Sequence, residues 1–238
     1  MRIHVGTSGW NYGHWRGVFY PEGLKTGDWL AFYGQRFDTI ELNVTFYRQM
    51  KSETYKKWYD SVPDGFLFSA KMSRFITHIR RLKVDGESVS RFLNALSVLA
   101  EKTGVILIQL PPSLRFEPAL TGEFFALLDP HFRYAVEARH ESYLSDAFFE
   151  MLRKERIAWC ISETAGRFPY REAVTADFVY MRLHGRETLY VSSYTEDELS
   201  ALKDKLLTWG KEAFVYFDND FSGFAAQNAL TLRAMVAQ

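Results

Sequence analysis

Cysteine is nearly missing from this chain of 238 residues: Cys160 is the only one. That excludes an internal disulfide and a zinc site built from several thiolates. No run of 18 apolar residues occurs, so no transmembrane helix is expected. Net charge is missing too, with 29 Lys+Arg against 29 Asp+Glu. A general polyanion binder usually carries a basic excess, so the balance argues against one while leaving a local basic pocket open. There is no Walker loop and no Gly-x-Ser-x-Gly elbow. Gly6-Thr7-Ser8-Gly9-Trp10 lacks the third glycine of a dinucleotide-binding fingerprint. The first six residues read as a short strand that reaches a turn too soon for the apolar region of a signal peptide. The expectation is a cytoplasmic protein with no membrane partner.

What is present is ordinary globular composition, 47% hydrophobic and 24% charged, with a high aromatic share of 16%. Short apolar segments at 3–7, 39–43, 67–71, 105–109, 134–138, 158–162, 178–183 and 213–217 read as eight strands. Their mean spacing of about 30 residues suits one βα unit each. Helical periodicity falls between them, near 28–35, 53–60, 88–102, 121–128, 145–155, 195–209 and 223–236. Thr195-Glu196-Asp197-Glu198 is a capping box. Residues 163–177 carry little helical pattern. The prediction is an α/β fold: one (β/α)8 TIM barrel over 1–238, with the helix between strands 6 and 7 reduced or missing.

In such barrels the C-terminal strand ends form the active face. Here they deliver Thr7 and Ser8; Glu41 and Asn43; Lys71; Gln109; Glu137, Arg139 and His140; Ser162 and Glu163; Arg182 and His184; and Asp218, Asn219 and Asp220. Side chains alternate along a strand, so Glu41 shares a face with Asn43, Glu137 with Arg139, and Arg182 with His184. In the sixth and eighth strands the inward parity is ambiguous by one residue. Glu41, Glu137 and His184 are the candidate acid–base groups. Lys71, Arg139 and Arg182 would hold an anion. Thr7, Trp10, Asn43, Tyr47, His78, Gln109, His140 and Asn219 are further candidate substrate contacts. A purely structural ion pair, such as Glu137 with Arg182, is the competing reading for any one of them. A divalent metal on Glu41, Glu137, His184 and Asp220 is a weaker reading, because no His-x-His or His-Glu-x-x-His spacing supports it.

These strand ends carry a resemblance. The motifs are Gly6-Thr7-Ser8-Gly9-Trp10-Asn11-Tyr12, Glu41-Leu42-Asn43-Val44-Thr45-Phe46-Tyr47-Arg48, Ile76-Thr77-His78, Gln109-Leu110-Pro111-Pro112-Ser113, Val136-Glu137-Ala138-Arg139-His140, Arg182-Leu183-His184-Gly185 and Phe217-Asp218-Asn219-Asp220. In this order the chain resembles the DUF72 (YecE-like) family. The resemblance implies a TIM barrel and a site at these positions, and it implies no reaction. Three residues depart from the family's usual pattern: Tyr143 for Trp, Glu163 for Asp and Asp218 for Asn.

The reading that follows is an enzyme acting on a small phosphate-bearing or otherwise anionic ligand. Acid–base or metal-assisted chemistry would serve, on a phosphodiester or a sugar phosphate, by hydrolysis or isomerisation. The alternatives are a non-catalytic anion-binding or sensing protein, and a binder of structured nucleic acid using the basic run Arg74, His78, Arg80, Arg81 and Lys83.

Overall fold

A computed structural model describes residues 1–237. Eight strands run parallel: β1 (Ile3–Thr7), β2 (Thr39–Leu42), β3 (Leu67–Lys71), β4 (Thr103–Leu110), β5 (Arg133–Ala138), β6 (Ala158–Glu163), β7 (Phe178–Leu183) and β8 (Glu212–Phe217). They pair in the order β1-β8-β7-β6-β5-β4-β3-β2. An isolated parallel bridge from Ser8 to Glu41 brings β2 back toward β1, so the sheet nearly closes. The helices are α1 (Trp29–Gly34), α2 (Val44–Tyr47), α3 (Ser52–Ser61), α4 (Gly86–Leu96), α5 (Pro118–Phe125), α6 (Asp146–Lys154), α7 (Glu196–Trp209) and α8 (Phe224–Val236). The fold is a single (β/α)8 TIM barrel. No helix lies between β6 and β7, as the weak periodicity there implies.

Period-2 alternation splits the apolar residues into two layers. Ile40, Leu42, Ile106, Ile108, Val179 and Met181 face outward and pack against the helices. Val105, Leu107, Ala135, Cys160, Tyr180, Phe214 and Tyr216 fill the barrel interior. This packing settles the two ambiguous strands. In β6, Ala158 and Cys160 are interior, which carries Ser162 inward; in β8, Phe214 and Tyr216 are interior, which carries Asp218 inward.

Closure depends on one small residue. A Cβ on Gly6 would sit 2.3 Å from the Thr39 carbonyl oxygen, so β1 approaches β2 this closely only with glycine there.

Several local features differ from the sequence pattern, among them the short helix α2 after β2. The helix expected over 88–102 breaks after Leu96 into a 3-10 segment, Ser97–Lys102, with Ala100 at φ 46 and ψ −125. The buried Lys102 ammonium donates to the Tyr59 and Val62 carbonyls, each at 2.9 Å, and so draws the chain off the helix axis. A π-helical turn, Phe75–Ile79, follows β3 where no helix was foreseen. The capping box at Thr195 forms, with the Glu198 carboxylate accepting from the Thr195 N–H. Among the described residues no helix is long and apolar enough to cross a membrane.

Candidate active site

The charged strand ends meet at the C-terminal mouth, and Arg182 is their centre. It comes from β7, points inward, and is 1% exposed. Its Nε donates to both Glu41 oxygens at 3.1 and 3.0 Å, and its Nη2 donates to Glu41 Oε1 at 2.8 Å. Nη1 donates to Glu137 Oε2 at 2.7 Å. Nη2 also donates to Asp218 Oδ2 at 3.1 Å. One guanidinium thus serves three carboxylates from β2, β5 and the end of β8. Burying that many charges is tolerable only when each is paired. Burial alone would lower the Arg182 pKa, but Glu41 and Glu137 outweigh it and raise it.

Glu41 is fully enclosed. Ser8 Oγ donates to Oε1 at 2.7 Å, and the Tyr180 hydroxyl donates to Oε2 at 2.6 Å. Glu137 accepts from Gln109 Nε2 at 2.9 Å and Arg139 Nε at 3.1 Å. Burial pushes the Glu137 carboxyl up, but Arg182 and then Arg139 outweigh it and hold it well below the usual carboxylate range. His184 Nε2 lies 3.0 Å from Arg182 Nη1. A guanidinium has only hydrogens to give, so Nε2 accepts and Nδ1 carries the ring hydrogen. Nδ1 of this uncharged ring lies 2.9 Å from Asp218 Oδ2, a close polar contact that is not an aligned hydrogen bond.

Above this network opens a cavity of about 510 Å³. It is lined by Tyr12, Asn43, Phe46, Tyr47, Lys71, Arg74, His78, Gln109, Arg139, Arg182, Tyr190 and Asp218. Lys71 is 8% exposed, and its Nζ sits 4.4 Å from the centre of the Phe46 ring. Among the described residues no carboxylate lies within ion-pair distance of it, and Glu137 and Asp218 pair with Arg182 instead. Burial, followed by the repulsion of Arg182, lowers its pKa to about 8. His78 is lowered to about 4 by burial and then by Lys71. The Arg139 guanidinium packs 4.5 Å from the Phe168 ring and reaches Glu137 through Nε alone.

A family model for a protein of unknown function, DUF72, matches residues 4–238. The chain belongs to the DUF72 family. It is 30% identical to the protein YecE of Escherichia coli K12 over 60% of its own length and 50% of that relative's, so the match spans about half of YecE. It is 24% identical to YunF of Bacillus subtilis, over 95% of this chain and 92% of that one. The crystal structure of a DUF72 protein from Thermotoga maritima superposes with a TM-score of 0.88 at 31% identity and covers both chains fully.

Against this DUF72 barrel the nominated residues divide into three groups. Asn43, Tyr47, Lys71, His78, Gln109, Arg139 and Arg182 line the cavity. Glu41, Glu137 and His184 are brought together, but beneath its floor. Thr7, Trp10, His140, Asn219 and Asp220 serve other contacts. Thr7 Oγ1 donates to the Gly9 carbonyl, and Trp10 packs edge-on against Trp58. His140 Nδ1 caps the short turn at Ser142, and Asn219 donates to Asn228 and the Ser192 carbonyl. Asp220 accepts from Trp15 Nε1 at 2.7 Å and pairs with His14 at 2.9 Å. No three His, Cys, Asp or Glu side chains converge as a metal site among the described residues.

Tyr180 and Tyr190 were not among the candidates from the sequence, while Ser8, Tyr12 and Asp218 stood in its motifs and strand ends without an assigned role. Tyr180 had a signal, since it shares the inward parity of Arg182 and His184. Asp218 needed the parity of β8. Tyr190 sits in a loop after β7 and carries no pattern that would have placed it.

Proposed function

We propose that the mouth of this barrel binds a small anionic ligand, a phosphate ester or carboxylate, and acts on it by acid–base chemistry. One observation carries the reading. Lys71, Arg74 and Arg139 face the cavity, while its single lining carboxylate, Asp218, is already paired with Arg182 and His184. The wall therefore presents excess positive charge around a half-enclosed cavity, where charge-assisted guanidinium–oxyanion hydrogen bonds can form. Glu41 and Glu137 act as positioning groups in this reading, because Arg182 occupies their oxygens. The test is calorimetry and thermal shift with inorganic phosphate and glycerol 3-phosphate at two salt concentrations. Saturable binding is expected, weakened at least tenfold in Arg139→Ala. Absence of binding at millimolar phosphate would overturn the reading.

A second reading has its own observation. A groove of about 460 Å³ shares Tyr47 and Arg74 with the mouth and continues along Arg48, Arg91 and Phe75. Tyr47 and Phe75 are exposed there, an aromatic and basic surface suited to an extended phosphodiester strand. Affinity for an oligonucleotide that falls steeply with salt would favour it.

A further inference from the structure

The chain has two buried lysines that contrast sharply. Lys102 satisfies its ammonium with two backbone carbonyls at 2.9 Å and has Asp64 at 3.9 Å. Lys71 has no such partners. Thr45 Oγ1 donates to its carbonyl oxygen at 2.7 Å and anchors its backbone, while the side chain rises inward from the end of β3 into the cavity. Its nitrogen faces the Phe46 ring at 4.4 Å with no carboxylate at ion-pair distance; Arg182 and Arg139 repel it, and Glu137 and Glu41 attract it only from farther off. A largely buried amine with no protein acceptor and no carboxylate at ion-pair distance sheds its proton more readily than a free lysine. That is the state in which an amine is a nucleophile.

We propose that Lys71 is a catalytic amine that forms an imine with the carbonyl carbon of a small phosphate- or carboxylate-bearing aldehyde or ketone. The proposal rests on the anion-binding reading of the same cavity and names its substrate class. Arg74 and Arg139 take the anionic end, leaving the carbonyl to the amine.

The nitrogen lone pair attacks the carbonyl carbon, the carbonyl π pair moves to oxygen, and a proton passes from nitrogen to oxygen. The oxygen then takes up a second proton from solvent and leaves as water while the nitrogen lone pair forms the C=N bond, leaving a protonated imine. No oxidant or reductant is consumed. The protonated imine acidifies the neighbouring C–H bond.

His78 is placed to take that proton. Its ring stands edge-on to the same Phe46, with centroids 4.8 Å apart. The Thr77 hydroxyl gives its one hydrogen to the Ser73 carbonyl at 3.2 Å, so His78 Nδ1–H donates to Thr77 Oγ1 at 2.9 Å. That leaves Nε2 with a free lone pair, and the imidazole is uncharged at neutral pH. The C–H electron pair becomes the C=C bond and the C=N π pair returns to nitrogen, giving an enamine, the intermediate of aldol and isomerisation chemistry.

At pH 7 an amine with a pKa of about 8 is roughly 250-fold richer in its free form than an ordinary lysine. Reductive trapping is therefore selective. The intact protein is incubated at pH 7 with dihydroxyacetone phosphate and sodium cyanoborohydride, and the adduct is located by peptide mass spectrometry. One adduct per chain is expected, at least tenfold enriched on Lys71 over any other lysine and suppressed by glycerol 3-phosphate, which has no carbonyl. Mapping in the wild-type protein needs no variant to fold; Lys71→Gln should lose the adduct. Labelling spread evenly over the lysines overturns the proposal. Glycerol 3-phosphate that binds while Lys71 stays unlabelled overturns the imine and leaves the anion site standing. Labelling of Lys71 by hydroxyacetone that glycerol 3-phosphate cannot suppress supports the amine and overturns the anion site. In His78→Gln the adduct should persist while exchange of the α-hydrogen with solvent deuterium falls at least tenfold; unchanged exchange removes His78 from the step.

Discussion

Arg182 and Glu41 meet through two guanidinium nitrogens, Nε at 3.0 and 3.1 Å and Nη2 at 2.8 Å, with both side chains sealed from solvent. Such a pair adds little net stability by itself, because desolvating both charges offsets their attraction. Its removal from one side is another matter.

Arg182→Ala would leave Glu41 and Glu137 buried without their shared partner. The expected loss is about 3–5 kcal/mol, measured by equilibrium urea unfolding. Arg182→Lys should recover little, since one ammonium cannot reproduce the fork that reaches Glu41, Glu137 and Asp218 together. Wild-type stability in either variant would show that the network does not hold the mouth.

Lys71 is expected to cost the ligand-free protein stability. Its pKa falls from 10.5 to about 8 on folding, so between those values the unfolded chain binds more protons than the folded one. Stability from this group therefore rises with pH across that window and is lowest below about 8. Lys71→Met should be more stable than wild type at pH 7 by ~1–3 kcal/mol, and the gain should shrink as pH approaches 10. Paired thermal melts at pH 7 and 10 check this. A gain that does not change with pH would mean that packing, not charge, is responsible.

Gly6→Ala tests barrel closure. The new methyl would meet the Thr39 carbonyl oxygen at 2.3 Å, backbone against backbone, where no rotamer relieves the clash. An expected loss of ~1–3 kcal/mol should appear as a lowered urea midpoint. A neutral result would show that β1 and β2 can separate freely at this level.

Much of the site was legible along the chain. Arg182, Glu137, Glu41 and Lys71 all lie at strand ends, and alternation put Glu41 with Asn43, Glu137 with Arg139 and Arg182 with His184 on shared faces. What the pattern could not convey was depth. His184 and Glu41 share their strands' inward parity with groups that reach the cavity, yet they end below its floor, held by Arg182 and, for Glu41, by Ser8 and Tyr180 as well. Asn219 and Asp218 are adjacent in sequence, and only the packing of Phe214 and Tyr216 inside the barrel shows which of them turns toward the mouth.

The sequence by itself determined the eight-fold strand–helix alternation, the helix missing after β6, and the gathering of ionisable residues at one end of the barrel. These follow from period-2 and period-3.6 patterning, which are local properties of the chain. Only the tertiary structure decided which charges neutralise one another and which stay uncompensated. Glu41 and Arg182 are 141 residues apart, and whether a carboxylate finds a guanidinium depends on strand register and reach across the barrel. That pairing commits the carboxylates to Arg182 and Arg139 and leaves Lys71 with none at ion-pair distance, which turns the proposed chemistry from the glutamates to the amine.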